Sequence, residues 1–121
     1  MNVKRFYRLA GMLAALAMAV AACSGGSSGE PLAVTLHAKD IAFDRAAINA
    51  KPNQTVTVTL VNDGTLDHGF VVDGLLEQQL ASAGKTVTFS FKTGAAGAFQ
   101  FYCPIAGHKE AGMVGVLTVA P

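Results

Sequence analysis

Between Thr55 and Val61 the chain reads Thr-Val-Thr-Val-Thr-Leu-Val. Strict alternation of this kind gives a strand one apolar face, Val56, Val58 and Leu60, and one polar face of threonines. A helix would scatter the same residues around its circumference, and the β-branched side chains favour the extended backbone. The rest of the chain repeats this pattern in short pieces. Val34, Leu36 and Ala38 alternate with Thr35 and His37, so His37 points to solvent, with no partner beside it that would make it a ligand. Phe70 and Val72 share a face, as do Val87, Phe89 and Phe91, and as do Phe99, Phe101 and Cys103. Ile41 and Phe43 form a short apolar pair, Ala47 to Ala50 reads as a short edge strand, and Val114 to Val119 closes the series. Turns fall at Lys51-Pro52-Asn53-Gln54, at Asn62-Asp63-Gly64 and over Thr93 to Gly97. Leu75 to Ala83 fits a helical turn or an irregular connection. About seven to eight short strands with hardly any helical period imply an all-β chain, an antiparallel β-sandwich whose core holds Phe43, Phe70, Phe89, Phe91, Phe99 and Phe101.

The N-terminus stands apart from this pattern. Lys4, Arg5 and Arg8 precede an apolar run from Leu9 to Val20, too short to span a bilayer, and Ala21-Ala22-Cys23 follows. Val20-Ala21-Ala22-Cys23 resembles a bacterial lipobox, which implies cleavage before Cys23 and a lipid on its sulfur. The expectation is a signal peptide over 1–22, a flexible tether over 23–31 rich in glycine and serine, and one domain over 32–121. The exported protein would then be anchored to the cell membrane and face the periplasm or the exterior. A Cys23–Cys103 disulfide is the alternative for two exported cysteines, but it would tie a tether to a strand end. Without Lys4, Arg5 and Arg8, six basic side chains face eight acidic ones. With no basic cluster, nucleic-acid binding has no support.

Cys103, His108 and Met113 are each separated from the next by four residues, in a loop between two strand signals. Thiolate, imidazole and a weak axial thioether are ligands of a mononuclear copper site for electron transfer. A second imidazole is needed, and His68, at the start of its own strand, is the candidate. Cys103 shares the inward parity of Phe99 and Phe101, so its sulfur is screened from water. Four protein ligands leave no open position for a substrate, which argues against catalysis. Zinc is the inorganic alternative, but methionine suits it poorly.

The segment Cys103-Pro104-Ile105-Ala106-Gly107-His108-Lys109-Glu110-Ala111-Gly112-Met113, with Asn62…His68 upstream, resembles the copper loop of the cupredoxins, in the plastocyanin, auracyanin and sulfocyanin branches. The resemblance covers about Leu32 to Pro121. It implies a Greek-key sandwich and one type 1 blue copper centre, with His68, Cys103 and His108 equatorial and Met113 axial. Many members carry asparagine directly after the first histidine, where this chain has Gly69; Asp67 or Asn62 are the residues at hand to replace it. In the family the loop histidine reaches the surface through an apolar patch. Here Leu66, Pro104, Ile105, Ala106 and Ala111, with Gly107 and Gly112, would dock transient redox partners such as a cytochrome, an oxidase or a reductase. Tyr102, outward and next to Cys103, resembles a second electron route.

The expected function is therefore that of an exported, monomeric one-electron carrier and not an enzyme. Storage or delivery of copper without redox turnover is the alternative, although such proteins expose several methionines or histidines. After Cys23 this chain has one methionine and three histidines. A copper oxidase or nitrite reductase fragment would need a further histidine-rich site, and only His37 is spare.

Overall fold

The computed structural model describes residues 29–121, so the signal segment, Cys23 and most of the tether lie outside the described residues. Nine strands follow in order: β1 (Leu32–Lys39), β2 (Ala42–Phe43), β3 (Ala47–Ala50), β4 (Thr55–Asn62), β5 (His68–Val72), β6 (Leu76–Ala81), β7 (Thr86–Lys92), β8 (Gly97–Tyr102) and β9 (Val114–Val119). They form a four-stranded sheet, β2-β1-β4-β7, and a five-stranded sheet, β3-β9-β8-β5-β6. No helix is present among the described residues.

The alternation places the faces as expected. Val56, Val58 and Leu60 of β4 are fully buried, as is Leu36 of β1. Each such side chain contributes roughly 1.5–3 kcal/mol through removal from water. Across the solvent face of the four-stranded sheet, Thr57 and Ser90 hydroxyls lie 2.8 Å apart. Phe70 and Phe101 form the centre of an aromatic cluster, with ring centroids 5.3 Å apart. Phe43 packs edge-on against Phe70 at 6.1 Å, and Phe89 tilts against it at 5.6 Å. Phe91 is also buried, whereas Phe43, Phe89 and Phe99 are half-buried at the cluster's rim. Phe101 covers Gly115, its partner across the β8–β9 ladder, and a Cβ there would stand inside the ring.

Three features differ from the expectation. β1 runs parallel to β4, with Leu32 opposite Val56 and Ala38 opposite Asn62. β3 runs parallel to β9, so both sheets are mixed. Alternation marks which side chains face inward and carries no information on strand direction. Leu76 to Ala81 is a strand, β6, and the additional short pair β2 brings the number to nine. β6 is the outer strand of its sheet and pairs only with β5, so Glu77, Gln78 and Gln79 need bury no apolar face. Its backbone bonds form it, and its side chains give no periodic signal. Finally, His37 is outward as expected but not alone, since its Nδ1 lies 2.5 Å from Asp63 Oδ2.

This topology gathers the ends of several strands at one pole. β4 ends there at Asn62, β5 begins at His68, β8 ends at Tyr102 and β9 begins at Val114. Val71 lies opposite Tyr102 in the β5–β8 ladder, which brings the start of β5 beside the segment that leaves β8.

Candidate metal centre

Cys103 follows β8 directly and keeps the inward parity of Phe101, so its sulfur is fully buried. It is a free thiol. The loop from Cys103 to Met113 is closed at its base, because Cys103 N–H donates to the Met113 carbonyl at 3.0 Å. Inside it, His108 N–H donates to Ile105 O at 3.0 Å and Met113 N–H donates to His108 O at 3.0 Å. Gly107 and Gly112 have φ of +83° and +102°, a backbone that other residues adopt only at a cost. These glycines are the turn residues that fold the loop back so that His108 and Met113 return to the sulfur.

The donor atoms of His68, Cys103 and His108 all lie within 4.8 Å of one another, and all three side chains are buried. Cys103 Sγ is 3.4 Å from His108 Nδ1 and 4.0 Å from His68 Nδ1. Donors about 2.0–2.3 Å from a central ion in a trigonal plane would stand roughly 3.5–4.0 Å apart, so these spacings fit one transition-metal ion. Met113 is fully buried and held by the same loop, which positions the four side chains as a type 1 copper site. The set of one thiol, two imidazoles and one thioether suits copper better than zinc.

The electrostatics favour the neutral imidazole that a metal requires. Burial pushes the His68 pKa down, and the neighbouring His108 pushes it further, against weaker opposing effects of Asp67 and Asp40. His68 Nε2 is buried with no hydrogen-bond partner among the described residues. Gly69 N–H donates to Cys103 Sγ at 3.4 Å, a contact that stabilises charge on the sulfur.

Position 69 itself is closed to any larger residue. A Cβ there would lie 2.8 Å from Gln79 O, 2.9 Å from Leu80 Cδ2 and 3.0 Å from Pro104 Cδ. The space that an asparagine would need is filled by the proline after Cys103 and by β6. Of the two residues at hand to replace an asparagine, Asp67 accepts a hydrogen bond from Ala83 N–H at 3.1 Å on the exposed side. Asn62 is buried and makes three bonds within the ligand loop and to β6.

Around the site, His108 is only 7% exposed. Leu66, Ala106, Gly107, Ala111 and Gly112 are exposed around it, and Pro104 and Ile105 are half-buried. Leu80 is 52% exposed and belongs to the same flank, next to Gly69 and Pro104. Nothing in the sequence marks it for this flank, because β6 has no periodic signal. Tyr102 is half-buried, with Lys109 Nζ 3.8 Å from its ring centroid. Its pKa is raised by loss of hydration first, then by Asp73. His37 and Asp63 are distant in role: they pair on the solvent face of the four-stranded sheet and do not join the three buried donors.

Comparison with known proteins gives the same architecture. The family model described as "Cupredoxin-like domain" matches residues 12–119. A copper-resistant cuproprotein, CopI, from Rubrivivax gelatinosus is 31% identical over 97 residues, 64% of this chain and 59% of that protein. The chain thus spans less than two thirds of that relative's length. Auracyanin-A of Chloroflexus aurantiacus is 26% identical over 140 residues, 80% of this chain and 86% of that protein. The dithionite-reduced auracyanin of Roseiflexus castenholzii superposes with a TM-score of 0.70 at 22% identity, over 77% of this chain and 100% of that one.

Proposed function

The chain belongs to the cupredoxin-like family, and from that premise we propose that it is an exported blue copper protein that passes single electrons between redox partners. The observation that carries this reading is the buried His68–Cys103–His108 cluster, with Met113 tied to the same loop. Bound copper supplies one-electron exchange between Cu(I) and Cu(II). His68, Cys103 and His108 would hold it, with the Met113 thioether as the fourth donor. The chain's own part is to keep these donors fixed in both oxidation states, so that little reorganisation accompanies transfer. Backbone hydrogen bonds at the loop base and a packed aromatic cluster beneath Cys103 serve that end. No substrate enters, and the protein acts as a carrier and not an enzyme.

Electrons would pass through His108, which is buried to 7% exposure beneath the exposed Ala106, Gly107 and Ala111. The apolar surface of Leu66, Pro104, Ile105, Ala106 and Ala111 would receive a partner such as a cytochrome, an oxidase or a reductase. A small contact with little charge allows fast release. Tyr102 offers a second path from Cys103 to the outside. Export and anchoring through a lipid on Cys23 rest on the lipobox-like Val20-Ala21-Ala22-Cys23. The carrier is a monomer in this reading.

A second reading is copper storage or delivery, favoured by the likeness to a protein named for copper resistance. Visible and paramagnetic resonance spectra of the copper-loaded protein separate the two, with Cys103→Ser as control. An intense blue band, narrow copper hyperfine splitting and reversible bleaching on reduction are expected, and loss of the band in the control. A colourless protein that takes up only Cu(I) would assign it to storage or delivery.

A further inference from the structure

We propose that Asn62 is the positioning residue of the copper site: from the end of β4 it fixes the loop that carries His68. The proposal rests on the blue copper reading above and deepens it. Metal-binding histidines ordinarily have their outer nitrogen held by a carboxylate or carbonyl, which fixes the ring. Among the described residues no protein group gives His68 such a hold, since its buried Nε2 has no side-chain or backbone partner there. Its direction therefore depends on packing and on where the backbone places its Cα. The side chain at position 69 cannot help, since a Cβ there meets Gln79 O, Leu80 Cδ2 and Pro104 Cδ at 3.0 Å or less.

Asn62 is 2% exposed. Its Nδ2 donates to Leu66 O at 2.8 Å and to Ala81 O at 2.8 Å. Its Oδ1 accepts from Gly64 N–H at 3.0 Å. Both amide protons are used, and the oxygen is satisfied as well. The partners bracket the ligand. Gly64 opens the loop, Leu66 lies two residues before His68, and Ala81 is the residue directly opposite His68 in the β5–β6 ladder. One buried amide thus joins β4, both halves of the loop and the strand across from His68. Gly64 also packs close to the ring, since a Cβ on it would be 3.4 Å from His68 Nε2. Asp67 adds one bond, to Ala83 N–H, on the exposed side, where water competes for it.

The test compares Asn62→Ala with Asp67→Ala and with Val58→Ala, a cavity variant in the middle of β4 whose ladder partners are Val34 and Phe89. In the copper-free protein, Asn62→Ala should raise amide hydrogen exchange across Gly64 to His68 while the centre of β4 stays protected. In the loaded protein it should weaken copper binding by roughly tenfold, the size seen when supporting partners of a metal ligand are removed. It should also shift the blue band and the copper hyperfine splitting. Val58→Ala should lower the melting temperature and leave affinity and spectrum unchanged. If Asn62→Ala does not fold, Asn62→Ser serves, because its hydroxyl keeps one polar hydrogen in the site but can donate to at most one of Leu66 O and Ala81 O. Equal affinity and spectra for the Asn62 and Val58 variants at matched stability would overturn the proposal, and so would unaltered exchange at Gly64 to His68. Failure of the copper reading would appear separately, as a parent protein with no blue band.

Discussion

Replacing Gly69 with asparagine introduces the residue that many cupredoxins carry after the first histidine, and here it should damage the protein. A Cβ at this position lies 2.8 Å from a backbone oxygen, 2.9 Å from Leu80 Cδ2 and 3.0 Å from Pro104 Cδ. Leu80 is half in solvent and can swing away. Gln79 O cannot, because β5 and β6 are paired through Gly69 with Leu80 and Phe70 with Gln79. Pro104 is a rigid ring attached to Cys103. Relief must therefore come from opening the β5–β6 ladder or from moving Pro104, and with it the sulfur. Overpacking of this kind costs about 1–3 kcal/mol. In a domain of this size that corresponds to a melting temperature lower by roughly 5–20 °C. The 3.4 Å contact from Gly69 N–H to Cys103 Sγ should lengthen as well. Less charge stabilisation on the sulfur disfavours the reduced ion, so the reduction potential should fall. Thermal melts of the copper-free protein, with spectra and voltammetry of the loaded one, measure both effects. Pro104→Ala added to Gly69→Ala should recover part of the loss, because it removes one of the three contacts and the pair is coupled. A Gly69→Asn protein with unchanged melting and an unchanged potential would refute the close approach as a constraint.

Gly115→Ala places a methyl group inside the Phe101 ring and should destabilise by about 3 kcal/mol or more, read from denaturant midpoints. Stability of the copper-free protein should also depend on pH through His68. Its folded pKa is depressed below the ordinary 6.5, so below that pH the unfolded chain binds more protons than the folded one. The His68 contribution is intact above about pH 6.5 and declines as the pH falls from there towards the folded pKa. Denaturant midpoints should drop over that range and flatten in His68→Gln; a rise on acidification would contradict the assignment. Ala111→Glu, in the exposed patch around His108, should slow transfer to a physiological partner by about tenfold, equivalent to ~1.4 kcal/mol. Burying an unpaired carboxylate costs at least that much. Its copper spectrum should match the parent, and unchanged rates with every partner would remove the patch from the docking surface.

What the sequence alone determines here is local. Alternation in Val34–Ala38, Thr55–Val61 and Lys85–Lys92 assigned every inward side chain correctly, because burial on a strand follows period two whatever the neighbour. The same rule turned Cys103 inward, and the equal spacing from Cys103 to His108 to Met113 marked the loop before any contact was known. Tertiary structure decided the rest, because it depends on which strands meet. Parallel pairing of β1 with β4, and of β3 with β9, is invisible to alternation. β6 exists through backbone bonds to β5 and has no side-chain signature. Asp63 pairs with His37 only because β1 and β4 lie side by side. Asn62 reads in the sequence as a turn residue and as one of two stand-ins for the missing asparagine; its bonds to Gly64 and Leu66 are local, and the bond to Ala81, which ties it to the strand opposite His68, exists only in the folded sheet. Gly69 looked like a missing asparagine; the packed sheet shows it as the place where β5, β6 and Pro104 meet too closely for any side chain.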